Sequence, residues 1–129
     1  MSGARYVEDQ TLQEKFMRYD NRLNRKRFIM RHLMIIAASF LASSIAVFIA
    51  IVAFDSNSAD TIAGLISVCL AVPAMMLNIR RMHDLDRSGW WCLGLFVPLL
   101  NVAVALYLLC AKGTQGENQY GPDPLEGMD

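Results

Sequence analysis

Three stretches of this chain contain no Asp, Glu, Lys, Arg or His: residues 33–54, 61–79 and 88–111, of 22, 19 and 24 residues. A helix needs about 20 predominantly apolar residues to cross a hydrocarbon core about 30 Å thick, because each residue rises about 1.5 Å. All three stretches meet that length. A soluble three-helix bundle would need polar outer faces on these helices, and the stretches supply none. The pattern predicts an all-α membrane protein with three transmembrane helices at about 33–54, 61–79 and 89–111. Residues 1–32 then form a cytoplasmic N-terminal segment, 33–111 the transmembrane helical domain and 112–129 a turn-rich C-terminal tail.

The 12 Lys and Arg residues balance the 12 Asp and Glu residues, but their positions are uneven. Every basic residue except Lys112 lies before residue 33 or between Arg80 and Arg87. If the spans alternate, those two regions share one side, and the positive-inside rule makes that side cytoplasmic, the N-terminus included. Asp55 and Asp60 then fall in the outer loop. A cleaved signal peptide is a poor description of the first run. Its leader would hold Glu8, Asp9, Glu14 and Asp20, and its apolar core would exceed the usual length of about 7 to 15 residues. Cys69, Cys92 and Cys110 lie inside the predicted spans as small apolar groups, with no disulfide framework and no metal-ligand spacing. Nothing in the pattern calls for a cofactor.

Residues 1–10 read as a mobile end. Thr11-Leu12-Gln13-Glu14 fits a capping box, in which hydroxyl and carboxylate satisfy free N–H groups at a helix start. Leu12, Phe16, Tyr19 and Leu23 follow on one helical stripe, which predicts a short amphipathic helix. Two placements fit it equally: on the cytoplasmic leaflet, or packed as a solvated helix on the loop at Arg80. Arg22, Arg25, Lys26 and Arg27 then precede the first span as a topology anchor. The run is too short, and too poor in interleaved aromatics, for nucleic-acid binding.

Ala38, Ala42, Ala46 and Ala50 form a small-residue ridge in the first span, and Ala63, Ser67 and Ala71, with Gly64 beside them, form one in the second. Such ridges let helix backbones approach closely in lipid. They predict an antiparallel pair joined by a turn at 55–60, though they would serve a homodimer as well. Pro73 and Pro98 each leave a carbonyl without its donor and predict kinks. Asn101 should face the bundle, because an amide in lipid is costly. The third run, interrupted at Pro98-Leu99-Leu100-Asn101, reads as a kinked full span that puts the tail outside. The alternative is a re-entrant hairpin that returns the tail to the cytoplasm. Gly113 fits a left-handed helix cap, and Gly116, Gly121, Pro122 and Pro124 make the tail a series of turns, with Tyr120 at the interface.

The polar corner between the second and third runs is Arg80-Arg81-Met82-His83-Asp84-Leu85-Asp86-Arg87-Ser88-Gly89-Trp90-Trp91. Structural roles cover most of it: an Arg80–Asp84 pair four residues apart, a Ser88 cap, and Trp90-Trp91 as an aromatic belt. Two functional readings stand beside them. Arg80, Arg81, His83 and Arg87, with Arg22 and Arg25 from the basic run, could hold an anionic lipid headgroup. Alternatively, His83 is a general acid or base oriented by Asp84 or Asp86.

On these motifs the chain resembles the bacterial inner-membrane family known as domain of unknown function 805 (DUF805). Arg22-Leu23-Asn24-Arg25 with Phe28 resembles the family's Gly-Arg-x-x-Arg lead-in to the first span. The corner, with Ser88, Gly89, Trp90 and Trp91, resembles its Arg-Arg-x-His-Asp-x-x-x-Ser-Gly-Trp-Trp motif. Gly113-Thr114-x-Gly116-x-Asn118-x-Tyr120-Gly121-Pro122-Asp123-Pro124 resembles its tail. Asn21, Asp86 and Asn101 stand where family members often have glycine, and Asn and Asp tolerate positive φ better than other side chains. The resemblance implies a small multi-span protein of the bacterial cytoplasmic membrane and supplies no reaction. The expectation is therefore a binding, interaction or scaffold protein in the bilayer, with an anionic phospholipid and a homo-oligomer or membrane-protein partner as its contacts. The alternatives are an interface enzyme acting on a lipid phosphate, and a subunit of an oligomeric transporter.

Overall fold

The computed structural model describes residues 5–54 and 56–126. Four α-helices and one 3-10 helix follow in order: α1 (Leu12–Met17), α2 (Arg25–Ala53), α3 (Ser56–Asp84), the 3-10 helix Gly89–Phe96, and α4 (Leu100–Cys110). The described residues contain no strand, only an isolated bridge between Asn118 and Gly121.

The helices α2 and α3, each of 29 residues, are long and apolar enough to cross a membrane, whereas α4 is apolar but shorter. They form an antiparallel pair, and their middle stretches present large apolar side chains outward: Phe40 is 77% exposed and Val68 68%. In water such a surface would be untenable, and in lipid it is the expected one. Burial concentrates at the opposite, charged end. There Leu23, Phe28, Leu77, Met82, Leu85, Cys92 and Leu108 form one apolar cluster drawn from every element after α1.

Local chemistry explains the element ends. The Thr11 hydroxyl accepts from the Glu14 amide and the Glu14 carboxylate accepts from the Thr11 amide, completing the capping box. Asn24 caps α2 by accepting from the Arg27 amide at 3.0 Å. At the end of α3, Asp86 takes φ 57°, its amide donates to the His83 carbonyl, and the Arg87 amide donates to that of Met82. That is a Schellman stop with an aspartate in the left-handed position. Ser88 then accepts from the Trp90 amide at 3.4 Å and starts the 3-10 helix.

Several expectations need correction. No single kinked helix forms over 89–111: the run divides at 97–99, where Leu99 takes φ 68°, and its two arms pack back on each other. A Cβ on Gly94 would lie 3.0 Å from Val104 and 3.4 Å from Leu100, so the arms pack closely at this glycine and a methyl there would push Val104 aside by a few tenths of an ångström. At about 2.0 and 1.5 Å per residue, the 3-10 helix and α4 are each roughly 16 Å long, half a hydrocarbon core. Asn101 is exposed near the hairpin tip instead of facing the bundle. The turn placed at 55–60 is shorter, since α3 already starts at Ser56; Asp55 lies outside the described residues.

The stripe from Leu12 to Leu23 is not one helix. It stops at Met17, and Leu23 enters the core from the non-helical segment before α2. The small-residue ridges interlock only in part. Ala46, Ala50 and Ala63 are covered, but Ala38, Ala42, Ser67 and Ala71 are exposed, and a groove of 500 Å3 runs between the helices at Ser39, Ser43 and Ser67. The helix continues through Pro73.

Candidate functional site

The charged ends of α2 and α3 extend past the apolar stretches, and two carboxylates organise what collects there. Asp84, 3% exposed, receives Arg22 at 3.1 Å and the guanidinium of Arg81 one helical turn back. Arg22 also donates to the carbonyls of Thr114, Gly116 and Gly121, while Arg81 donates to those of Leu108 and Ala111. The Thr114 amide returns a bond to the Asp84 carbonyl at 2.7 Å. This triad carries one excess positive charge, and the carbonyl end of α4, with a partial charge of about −0.5, is placed to offset it.

The second centre is Asp9, 3% exposed, which accepts from Arg80 at 2.6 Å and from Arg31 at 2.8 Å, with Arg18 3.6 Å away. Burial works against its ionisation, but the hydrogen bonds and charges of Arg80 and Arg31 prevail and hold its carboxyl below the usual carboxylate range. Arg80 and Arg31 use their remaining reach on the Lys15 carbonyl, so the end of α1 is tied to both long helices. Residues 1–10 were expected to be mobile; of the described part, Asp9 is instead a buried anchor. The Arg80–Asp84 pair expected from four-residue spacing does not form, because the two side chains turn to different partners.

The tail reaches this end of the molecule and lies on the corner, which the hairpin allows and a kinked full span would have forbidden. Asn118 donates to the His83 carbonyl at 3.0 Å, and the Tyr120 ring stacks on His83 at 4.1 Å with planes 6° apart. Gly113 is needed here for proximity: a Cβ there would sit 2.8 Å from the Asp84 carboxylate carbon and closer still to one oxygen. It is not the left-handed cap expected of it. Among the described residues the glycines with positive φ are Gly116 at 75° and Gly121 at 130°, and α4 ends on Ala111 in extended conformation. Asp123 accepts from the amides of Gly116 and Leu125, and Pro124 is fully buried.

The residues singled out in sequence therefore separate into two groups. Arg22, Arg80 and Arg81 are fully buried and occupied by carboxylates and carbonyls. Arg25, Lys26, Arg87 and Lys112 are exposed around the same end. Arg87 lies over the Trp91 ring at 5.8 Å, beside an exposed Trp90. His83 contacts the Asn21 carbonyl at 3.3 Å through Nδ1, and the Asp84 carboxylate is engaged elsewhere.

Two cavities lie near the exposed cations, one between the start of α2 and the tail, the other between α2 and α4. The outer one, 580 Å3, is lined by Arg25 and Lys112 together with Asp123 and Glu126. The inner one, 370 Å3, is almost wholly apolar, with His32 and Asn78 as its polar groups.

The sequence is similar to inner membrane protein YhaI of Escherichia coli K12, 48% identical over 58 residues that cover 45% of this chain and 49% of that protein. It is also similar to inner membrane protein YhaH of the same strain, 39% identical over 57 residues covering 44% and 47%. The chain thus spans about half the length of the curated relatives it matches. No solved structure matches it. The profile described as "Protein of unknown function (DUF805)" matches residues 16–122, which takes in the basic run, the corner and most of the tail. The chain belongs to the DUF805 family, whose function is unknown and whose similar members are named inner membrane proteins.

Proposed function

We propose that this is a multi-pass protein of the bacterial cytoplasmic membrane with two full spans, α2 and α3, and a re-entrant hairpin dipping into the inner leaflet. Its N-terminal segment, corner and tail form one cytoplasmic head, and that head works by binding phosphate-bearing lipid headgroups. With the tail on the inner side, Lys112 joins the other 11 basic residues there, and the positive-inside rule is obeyed without exception. The single observation that carries the binding function is the division of labour among the cations. Buried arginines hold the head together, while Arg25, Lys26, Arg87 and Lys112 stay exposed at the same end, Arg25 with one bond to the Cys110 carbonyl and Arg87 over the Trp91 ring. Basic side chains near an anionic leaflet contribute about 1 kcal/mol each, and interfacial tryptophans fix the depth at which they act.

His83 as an acid–base catalyst has less support, because its ring is stacked on Tyr120 and no carboxylate is hydrogen-bonded to it among the described residues. The test is the lipid phosphate retained per chain after exhaustive detergent washing. The parent should keep more than the Arg25→Ala/Arg87→Ala protein. Equal retention by the two at unchanged helicity would overturn the proposal.

A further inference from the structure

The two cavities are lined by neighbouring residues, Arg25 one turn from Ile29 on α2, and Ala111 and Lys112 shortly after Leu108 and Leu109. We infer that they form one binding site for a phospholipid with a primary ammonium headgroup, such as phosphatidylethanolamine. This rests on the headgroup-binding function above and goes further, naming the lipid and where each part of it lies.

The outer cavity has both signs of charge on its wall: Arg25 and Lys112 are cationic, Asp123 and Glu126 anionic. The Asp84 carboxylate also borders it but is neutralised by Arg22 and Arg81. A purely anionic headgroup would meet two attractive and two repulsive charges there. A zwitterion satisfies all four, its phosphate on the guanidinium and ammonium, its own ammonium on the two carboxylates. Asp123 is held in place by the Gly116 and Leu125 amides at 2.8 and 2.9 Å, so one anionic wall is fixed before any lipid arrives. A primary ammonium offers three N–H donors to those carboxylates, and a quaternary choline offers none.

The inner cavity lies between α2 and α4, with Asn78 and Leu95 closing it. Arg25 and Lys112 give way to Ile29 and Ile36 on α2 and to Ala105 and Leu109 on α4. Its 370 Å3 lies within the range of about 300–1,000 Å3 usual for small-ligand sites, and its apolar wall suits an acyl chain. Asn78 lines it and supplies N–H donors for a glycerol ester carbonyl. His32, seven residues and about 10 Å along α2 from Arg25, marks the depth at which headgroup gives way to chain.

The test uses the full chain in detergent with an equimolar mixture of phosphatidylethanolamine, phosphatidylglycerol and phosphatidylcholine, and counts bound lipids by native mass spectrometry. The parent should hold phosphatidylethanolamine in several-fold excess over both others. Arg25→Ala/Lys112→Ala should weaken phosphatidylethanolamine and phosphatidylglycerol alike, by about fivefold for each basic residue removed. Glu126→Gln, at an exposed position where folding is not at stake, should reduce the phosphatidylethanolamine excess alone. Ala105→Phe, which fills the inner cavity, should remove it. Phosphatidylglycerol bound as well as or better than phosphatidylethanolamine by the parent overturns the inference while leaving phosphate binding intact. Indifference of every adduct to Arg25 and Lys112 overturns the site and removes support for headgroup binding with it.

Discussion

Replacing Asp84 by asparagine tests what holds the head together. The carboxylate lies between two guanidinium groups that are themselves fully buried, receiving Arg22 at 3.1 and 3.2 Å on one oxygen and Arg81 on the other. Removing one partner of a buried ion pair costs about 3–5 kcal/mol, because the charge left behind keeps its desolvation penalty. Asparagine retains one acceptor oxygen but turns an N–H2 toward a cation. Arg22 keeps three carbonyl partners and Arg81 two, so the lower end of that range, about 3 kcal/mol, is expected.

The loss should be local first. The Thr114 amide bonds to the Asp84 carbonyl, and Arg22 ties down the carbonyls of Thr114, Gly116 and Gly121, so the tail should open before the long helices do. Hydrogen exchange in detergent should show loss of protection over 113–121 in Asp84→Asn, with a global destabilisation measured by denaturant titration. Lys26→Gln, which changes one charge at an exposed site, should stay within about 0.5 kcal/mol of the parent. If Asp84→Asn matches Lys26→Gln in stability and its tail stays protected, the triad does not organise the head.

Gly113→Ala drives a methyl into the Asp84 carboxylate and should destabilise by about 1–3 kcal/mol, with the tail cleaved faster in limited proteolysis. Asp9 supplies a pH signature. Its carboxyl is held below its ordinary value, so its contribution is present above the unfolded pKa of about 4 and is lost as pH falls through the lower folded value. Protection of the α1 segment should therefore persist at pH 5 and fail only in stronger acid, whereas Asp9→Asn should show the weakened state at every pH.

Much of this molecule is legible in its sequence, and the rest is hidden for identifiable reasons. Uncharged runs reveal α2 and α3 because chain length against bilayer thickness is a local property. The Thr11–Glu14 box and the Ser88 cap are local too, and each is found; of the three positions where the resemblance implies a glycine-like turn, Asp86 takes positive φ and Asn21 and Asn101 do not. Asp9 carries no local mark of its role, because its partner Arg80 is 71 residues away. The Arg80–Asp84 pairing failed for a related reason. Spacing shows which side chains can meet on an isolated helix, but buried Arg80 goes where the Asp9 carboxylate and the Glu14 and Lys15 carbonyls meet its two terminal nitrogens. The division of the third run turns on Gly94, Pro98 and Leu99, whose effect depends on whether two short arms can pack on each other. The two-sign wall of the outer cavity joins Arg25 to Glu126 and exists only once the tail has folded back.

The central claim is that residues 112–124 share a side of the membrane with the charged ends of α2 and α3. A single-cysteine protein with Gln115→Cys, in a background with Cys69, Cys92 and Cys110 changed to serine, can be exposed to a membrane-impermeant maleimide. Gln115 is exposed and outside the hydrogen bonds that hold the tail. The account predicts labelling in inside-out vesicles and none in intact spheroplasts; labelling in spheroplasts but not in inverted vesicles would contradict it.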